Sequence, residues 1–153
     1  MRSFNLLAAA AVALFLVPAT ANAQVHLGPQ LSYGGDTEFG VGGRMVANVE
    51  SLQHWDFIGT FDVFFPDGDV DYWEANGNLA YNFGLPDAPS LSPYVGTGLS
   101  IAHVSVGSAS DTDLGINFFV GTQFEGSSTT PFVELRLVAE GADQVVITGG
   151  LLF

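Results

Sequence analysis

The segment from Trp55 to Phe65, WDFIGTFDVFF, decides the fold class of this chain. Its odd-numbered residues are apolar or glycine, and its polar side chains fall at even positions. Because successive side chains of a β-strand point to opposite faces of a sheet, the segment predicts a strand with one uncharged face.

The same alternation recurs in seven further segments of the chain. They are residues 25–33, 39–49, 73–83, 91–101, 114–124, 133–139 and 145–153. In each of them one parity carries no charge. Strands of this kind form a sheet with one continuous apolar surface, which faces either a protein core or lipid.

The residues of the other parity favour lipid, because a soluble barrel needs a charged exterior. They are mostly small or carry amides, and none is lysine: Gly40, Gly42, Arg44, Asn48, Thr60, Asp62, Glu74, Asn76, Asn78, Asn82, Gly96, Gly98, Ser100, Gly115, Asn117, Gly121 and Gln123. Such side chains suit a narrow polar lumen. The sequence therefore predicts an all-β fold, an eight-stranded antiparallel up-and-down transmembrane β-barrel.

The first residues predict export. Arg2 precedes the apolar run 6–17, and Ala21-Asn22-Ala23 provides the small residues of a signal-peptidase site. We expect residues 1–23 to be a signal peptide and residues 24–153 to be a single barrel domain. No later segment reaches the roughly 18 apolar residues of a membrane helix, so a spanning chain must close as a barrel in an outer membrane.

Composition excludes several classes of function. The formal net charge is −13, which excludes nucleic acid as a partner. Cysteine is absent, so disulfides and thiolate metal sites are excluded. The sequence predicts no cofactor.

An even number of strands places both termini on the periplasmic side, so the connections alternate between two ends. The predicted outer loops are residues 34–37, 66–69, 105–111 and 140–143, and the inner turns are 50–54, 84–90 and 125–129. Aromatic side chains mark both rims, as expected of membrane girdles: Tyr33, Phe39, Phe65 and Trp73 outside, and Trp55, Phe83, Phe124 and Phe153 inside. Pro29 conflicts with a closed ladder, so we expect a bulge there or a later strand start.

Three segments carry a resemblance to a known family: SPYVGTGL at 92–99, DLGIN at 113–117 and PFVELR at 131–136, together with the terminal Phe153. They resemble the small outer-membrane β-barrel family, which includes the membrane domain of outer-membrane protein A. The resemblance implies insertion by the barrel-assembly machinery, which would use Leu151 and Phe153 of the last strand as its signal. Thr148 stands where the family usually has glycine.

The predicted lumen contains both arginines of residues 24–153. With tight hairpins, Arg44 lies opposite Thr60 and diagonal to Asp62, which faces Glu74, so these charges should meet. Glu134 and Arg136 form a second charged row across the lumen. The cluster is either a polar gate or a set of buried charges with counter-charges. The second interpretation is favoured, because eight strands enclose little more than their own side chains.

Acidic residues collect at the outer rim: Asp36, Glu38, Asp67, Asp69, Asp71, Asp111, Asp113, Glu140 and Asp143. The run DGDVD at 67–71 resembles the opening of a calcium loop, but it lacks the glycine and glutamate that would complete one. No dedicated metal site is predicted. Divalent cations that bridge this rim to anionic lipid, or a salt-rich habitat, would each account for these acids.

One motif raises the possibility of catalysis. His103-Val104-Ser105 resembles the His-x-Ser pair of outer-membrane lipid A deacylases, but no acid is placed to orient the histidine. The sequence therefore favours a non-enzymatic outer-membrane barrel with a structural, envelope-integrity or small-solute porin-like role. A lipid-modifying enzyme and a soluble periplasmic binding barrel are the alternatives.

Overall fold

The computed structural model describes residues 23–49, 52–126, 128–139 and 144–153. Eight strands follow one another along the chain: β1 Ala23–Gly34, β2 Glu38–Val49, β3 Trp55–Phe64, β4 Val70–Asn82, β5 Leu91–Val106, β6 Ala109–Phe124, β7 Thr130–Ala139 and β8 Gln144–Leu152. Each strand pairs antiparallel with its sequence neighbours, and β1 pairs with β8 to close the barrel. The predicted fold class is confirmed.

The strand positions agree with the alternation except at one hairpin. We expected a loop over residues 105–111, but Val106 pairs with Ala109, and only two residues connect β5 to β6. Gly107 has a φ of 60°, which is the backbone that a type II′ turn requires of its first central residue. The turn residue therefore allows both strands to continue well beyond the predicted loop boundary.

The strand connections lie at two ends, which we call the outer and inner mouths. The outer mouth contains residues 35–37, 65–69 and 107–108, and the inner mouth contains the connections from β2 to β3, β4 to β5 and β6 to β7. The predicted loop 140–143 lies outside the described residues, as does the signal segment up to residue 22. Among the described residues, no helix is long and apolar enough to cross a membrane.

Neither expectation for Pro29 is correct. β1 runs through Pro29 without a bulge, since its register with β2 is unbroken. Its register with β8 is the same on both sides, with Leu27 and Phe153 exchanging backbone hydrogen bonds and Gln30 paired with Gly150. The chains approach closely here, because a Cβ on Gly28 would lie 1.6 Å from the Leu151 carbonyl oxygen. The strand thus tolerates proline by interrupting the ladder to β8.

The uncharged parity forms the exterior. Large apolar side chains are exposed on seven of the eight strands, and Leu99 and Leu114 are 67% and 72% exposed. On β4 the large outward-facing side chains are half-buried. Seven of the eight predicted girdle aromatics are exposed at the two rims, and Trp73 is half-buried. At the inner rim Tyr81 packs edge-on against Trp55 and Phe83, with ring centroids 5.1 Å apart in each pair. An apolar exterior between two aromatic bands is typical of a membrane barrel.

Candidate functional site: the barrel lumen

Glycines of the lumen parity make room for aromatic rings from the next strand. Gly96 is paired with Phe119 and Gly121 with Tyr94. A Cβ on Gly96 would lie 2.2 Å from the Phe119 ring, and one on Gly121 would lie 2.4 Å from the Tyr94 hydroxyl oxygen. Two further pairs have the same arrangement: Gly40 with Phe64, and Gly150 with Phe132. The prediction of a polar lumen is therefore incomplete, because these glycines accommodate buried aromatic rings.

Two apolar clusters occupy the lumen. The inner apolar cluster consists of Val46, Ile58, Ala80, Tyr94, Phe119, Phe132 and Leu152. The outer apolar cluster consists of Phe64, Tyr72, Ala102 and Val146, with Val104 packed against it. Both clusters lie on the parity that we expected to be polar, so alternation identified the wall of the lumen but not its contents.

The charged groups between these clusters form ion pairs across the lumen. Arg44 Nη2 on β2 lies 2.6 Å from Glu134 Oε2 on β7, and both side chains are buried. The Tyr94 hydroxyl donates to Glu134 at 3.0 Å and accepts from Arg44 Nη2 at 3.1 Å. The Arg44 guanidinium also lies 4.3 Å from the centre of the Phe132 ring. Arg44 therefore links the charged layer to the inner apolar cluster.

The second ion pair joins Arg136 on β7 to Glu74 on β4, with Nη2 and Oε1 2.9 Å apart. Gln144 Nε2 donates to Glu74 Oε2 at 3.0 Å, and Asn76 Nδ2 donates to Oε1 at 2.9 Å. Both Glu74 oxygens thus have partners, as a buried carboxylate requires. β7 is tied through these two ion pairs to two strands that it does not neighbour.

The carboxylate of Asp62 has hydrogen-bond partners but no arginine among them. Gln30 Nε2 lies 2.9 and 2.8 Å from its two carboxylate oxygens, and Ser32 Oγ donates to Oδ1 at 3.1 Å. No ion pair to Asp62 is found among the described residues.

The expected cluster of Arg44, Asp62 and Glu74 is therefore wrong in its contacts, although its register is correct. Arg44 is paired with Thr60, and Asp62 with Glu74. A flat-sheet argument considers only neighbouring strands, whereas a long side chain in a narrow barrel reaches the opposite wall. Tyr94, Gln30 and Gln144 were not singled out, and their only signal in the sequence is a polar group on the lumen parity.

Each mouth opens into a cavity. The outer cavity has a volume of about 600 Å³ and is lined by Asp36, Thr37, Glu38, Pro66, Asp67, Val70, Tyr72, Val104, Asp113 and Gln144. The inner cavity, of about 340 Å³, lies beside Asp56, which accepts hydrogen bonds from Asn48 and Asn82. The charged layer and the two apolar clusters lie between these openings.

Acidic residues dominate the outer mouth. Asp36, Glu38, Asp67 and Asp113 line its cavity, whereas Glu140 and Asp143 lie outside the described residues. In the described part of the chain, no three histidine or acidic side chains are close enough to hold a metal ion. The arginines at 44 and 136 are buried in the lumen, so they leave the charge of this rim unbalanced.

His103 contacts residues other than Ser105, its predicted partner. Its Nδ1 lies 2.8 Å from Thr112 Oγ1, and its ring stacks on Trp73 with centroids 5.4 Å apart. Asp111 accepts from the Thr112 backbone N–H at 2.9 Å. No hydrogen bond between His103 and Ser105 occurs in the described structure, so the two residues are not arranged as a base and a nucleophile.

The two residues of the predicted assembly signal lie at the end of β8 on the exterior parity. Leu151 is 41% exposed and Phe153 is 62% exposed. Both side chains are exposed on the outside of the barrel, on the strand that closes it.

Comparisons with known proteins indicate the same architecture. No family model and no curated protein matches the chain. Among solved structures it is similar to the N-terminal β-barrel domain of Pseudomonas aeruginosa OprF, with a TM-score of 0.67 and 15% identity over 87% of this chain and 98% of that one. Neisserial surface protein A gives 0.58 and 15% over 86% and 95%. Ail, the attachment invasion locus protein of Yersinia pestis, gives 0.55 and 17% over 85% and 94%. The chain shares the eight-stranded barrel fold of these proteins.

Proposed function

We propose that the chain is a non-enzymatic integral barrel of the outer membrane whose role is structural, in envelope integrity. The observation that carries this proposal is a filled lumen inside a barrel whose exterior is predominantly apolar. Arg44, Glu74, Glu134 and Arg136 are each no more than 2% exposed, and apolar clusters lie on both sides of their layer. The protein therefore offers lipid a stable wall and offers solutes no wide passage.

The outer-membrane location is supported by the exterior and by the fold. Exposed apolar side chains occur on seven of the eight strands, and such a surface would aggregate in water but is stable in hydrocarbon. The three structural neighbours are barrels of the same strand number, and one of them is named as a surface protein. Export by residues 1–23 and insertion by the barrel-assembly machinery through Leu151 and Phe153 are part of the proposal.

The porin-like role is the less favoured form of this function. A solute would have to displace the Arg44–Glu134 pair and the Tyr94 hydroxyl, which are joined at 2.6 to 3.1 Å. Breaking a buried pair leaves uncompensated charge and costs about 3–5 kcal/mol. Steady conduction is therefore not what this geometry favours.

Partners at the outer mouth should be cationic. Ail has been crystallised with the heparin analogue sucrose octasulfate, a polyanion. In this chain the outer cavity is lined by four carboxylates and no basic residue, so a polyanion would be repelled. Divalent cations that bridge these acids to anionic lipid suit the same surface.

A non-enzymatic role is supported by the state of His103. Its Nδ1 is engaged by Thr112, and its ring is stacked on Trp73. A histidine that activates Ser105 would need a hydrogen bond to that hydroxyl and an acid on its other nitrogen.

The test combines localisation with conductance. Cell fractionation should recover the protein in the outer membrane, and the unboiled protein should migrate faster than the boiled one on a denaturing gel. In planar bilayers the purified barrel should show no steady conductance steps. Recovery in the soluble periplasm would disprove the membrane assignment, and regular conductance steps would replace the structural role with the porin-like one. Lipid A turnover that is lost in Ser105→Ala would establish the enzyme instead.

A further inference from the structure

The start of β6 differs from every other part of the wall. Its first six residues are exposed on both faces, whereas the later residues of the strand alternate with buried ones before the inner rim. β5 covers one edge of this segment through pairs from Val106 with Ala109 to Ile101 with Leu114. The top of β6 therefore stands above the closed barrel as the last strand of a ribbon formed with β4 and β5.

The other edge of this ribbon has no neighbour among the described residues. β7 pairs with β6 only from Ile116, which lies opposite Ala139. Continuing the same register upward would place Gln144 beside Asp111, but Gln144 belongs to β8 and pairs with Val138. In the part of the chain that the structure describes, residues 109–112, which we call the edge segment, have no strand on their outer side.

The edge segment directs backbone groups outward. The residues that flank a two-residue hairpin turn exchange backbone hydrogen bonds, so Ala109 and Asp111 point their amides toward β5. Ser110 and Thr112 then point theirs toward the open side. The hydrogen bond of the Thr112 N–H is consistent with this orientation, because the group donates to the Asp111 carboxylate and not to a neighbouring strand. An open strand edge of this kind is a template for an added strand.

Charge determines which strand fits. Asp111 is exposed in the edge segment, and Asp113 follows it and lines the outer cavity together with Asp36 and Asp67. A second copy is disfavoured, because two barrels in one membrane point the same way. Their β6 edges would run in parallel and bring the same acids together.

We propose that the edge segment docks an extended, basic segment of another polypeptide by β-strand addition. The partner's backbone bonds to the N–H and C=O of Ser110 and to the C=O of Thr112, whose N–H is held by Asp111. The partner's lysine or arginine side chains on one parity lie against Asp111 and Asp113 above the outer cavity. This interaction surface is separate from the buried layer on which the structural role depends.

The test uses a fluorescein-labelled peptide of alternating lysine and threonine and the protein refolded in nanodiscs of neutral lipid. Fluorescence polarisation is measured at physiological ionic strength, where long-range attraction is screened. A second peptide has the same charges but carries N-methyl groups on every second amide. We expect the methylated peptide to bind about tenfold more weakly, because it loses backbone hydrogen bonds and keeps its charge.

Two pairs of variants separate the backbone from the charge. Ser110→Pro removes an outward N–H without touching the bonds to β5, and Ser110→Thr keeps that N–H. Asp111→Asn removes an edge charge, and Asp87→Asn removes an exposed acid at the inner mouth. We expect Ser110→Pro and Asp111→Asn to weaken peptide binding, and the two controls to leave it unchanged. Each variant is first shown to fold by its faster migration on an unboiled gel.

The outcomes are distinct. Equal binding of the two peptides, or unchanged binding to Ser110→Pro, would overturn strand addition and leave only charge attraction. Absence of binding to the unaltered protein would show that the edge is covered, and it would also overturn the proposal. A concentration-dependent dimer in nanodiscs that Ser110→Pro abolishes would make the occupant a second copy. None of these results bears on the structural role, which the fractionation and conductance experiments test separately.

Discussion

The two faces of the same strands differ in what holds each residue in place. On the exterior, Leu99 and Ile147 are each more than half exposed, so most of their side-chain surface meets the medium around the barrel. In the lumen, Arg44 depends on Glu134, which lies 90 residues away along the chain. An exterior residue needs only to be apolar, whereas a lumen residue needs one particular partner on a distant strand.

This difference explains why substitutions on the two faces should fail for different reasons. A lipid-facing position is sensitive to polarity and tolerant of shape, because acyl chains adapt to the surface. A lumen position is sensitive to volume and to the loss of a specific counter-charge, because its surroundings are close-packed. The following predictions test that contrast, from the largest expected effect to the smallest.

The largest effect should come from Arg44→Ala. Its removal leaves the Glu134 carboxylate buried without its counter-charge, which should cost about 3–5 kcal/mol of membrane-folded stability. The measurement is urea-dependent folding into lipid vesicles, followed by tryptophan fluorescence.

A double-mutant cycle tests whether the pairing is correct. Arg44 should couple strongly to Glu134 and negligibly to Glu74, which is paired with Arg136. Strong coupling of Arg44 to Glu74 would instead support the neighbouring-strand cluster that the sequence predicts.

On the exterior, Leu99→Arg should cost about 2–4 kcal/mol, because a charge near the bilayer midplane is poorly solvated. Ser110→Arg provides the matched control, since it lies on the same face but near the tip of the β5–β6 hairpin. Folding into vesicles of the two variants would be compared with that of the unaltered protein. Similar losses at both positions would mean that the hydrocarbon does not lie where the exposed apolar side chains indicate.

The sequence predicted the exterior well because alternation is a local property. Each strand segment has its own uncharged parity, so the eight strands and the aromatic rims followed without knowledge of any long-range contact. The lumen was predicted only in part. Register correctly placed Arg44 opposite Thr60. It could not show that the guanidinium reaches β7, because that depends on the curvature of the closed barrel.

The glycines show the same limit. Gly96 and Gly77 are alike in the sequence, each within an alternating segment, but Gly96 faces Phe119 inside the barrel and Gly77 is exposed on the outside. The ring that fills the space above Gly96 belongs to the next strand, so only the pairing shows why glycine is required there. The pairing of β1 with β8 around Pro29 is a similar case. The sequence predicted a disruption there, but not that the ladder to β8 would be interrupted while the register stays the same.

Alanine at these two glycines should therefore have different effects. A Cβ at position 96 would lie 2.2 Å from Phe119 Cζ and 2.4 Å from the Leu79 carbonyl oxygen, and the overpacking should cost about 1–3 kcal/mol. A Cβ at position 77 meets nothing within 4 Å, so Gly77→Ala should be neutral or slightly stabilising. Vesicle-folding titrations of Gly96→Ala and Gly77→Ala give the comparison. A loss at Gly77→Ala as large as that at Gly96→Ala would show that glycine matters there for its backbone, not for packing.

The smallest effect should come from the outer mouth, where most charges are exposed and form no ion pair with any described residue. Asp36, Glu38, Asp67 and Asp113 surround one cavity and repel one another, so magnesium or added sodium chloride should raise the melting temperature of the refolded barrel. The gain should stay below about 1 kcal/mol, since exposed charges interact weakly in water. The combined variant Asp67→Asn with Asp113→Asn should lose most of the response, whereas Asp87→Asn at the inner mouth should keep it. If magnesium raised the melting temperature no more than sodium chloride at equal ionic strength, charge screening alone would explain the stabilisation. Cation bridging to lipid would then be rejected.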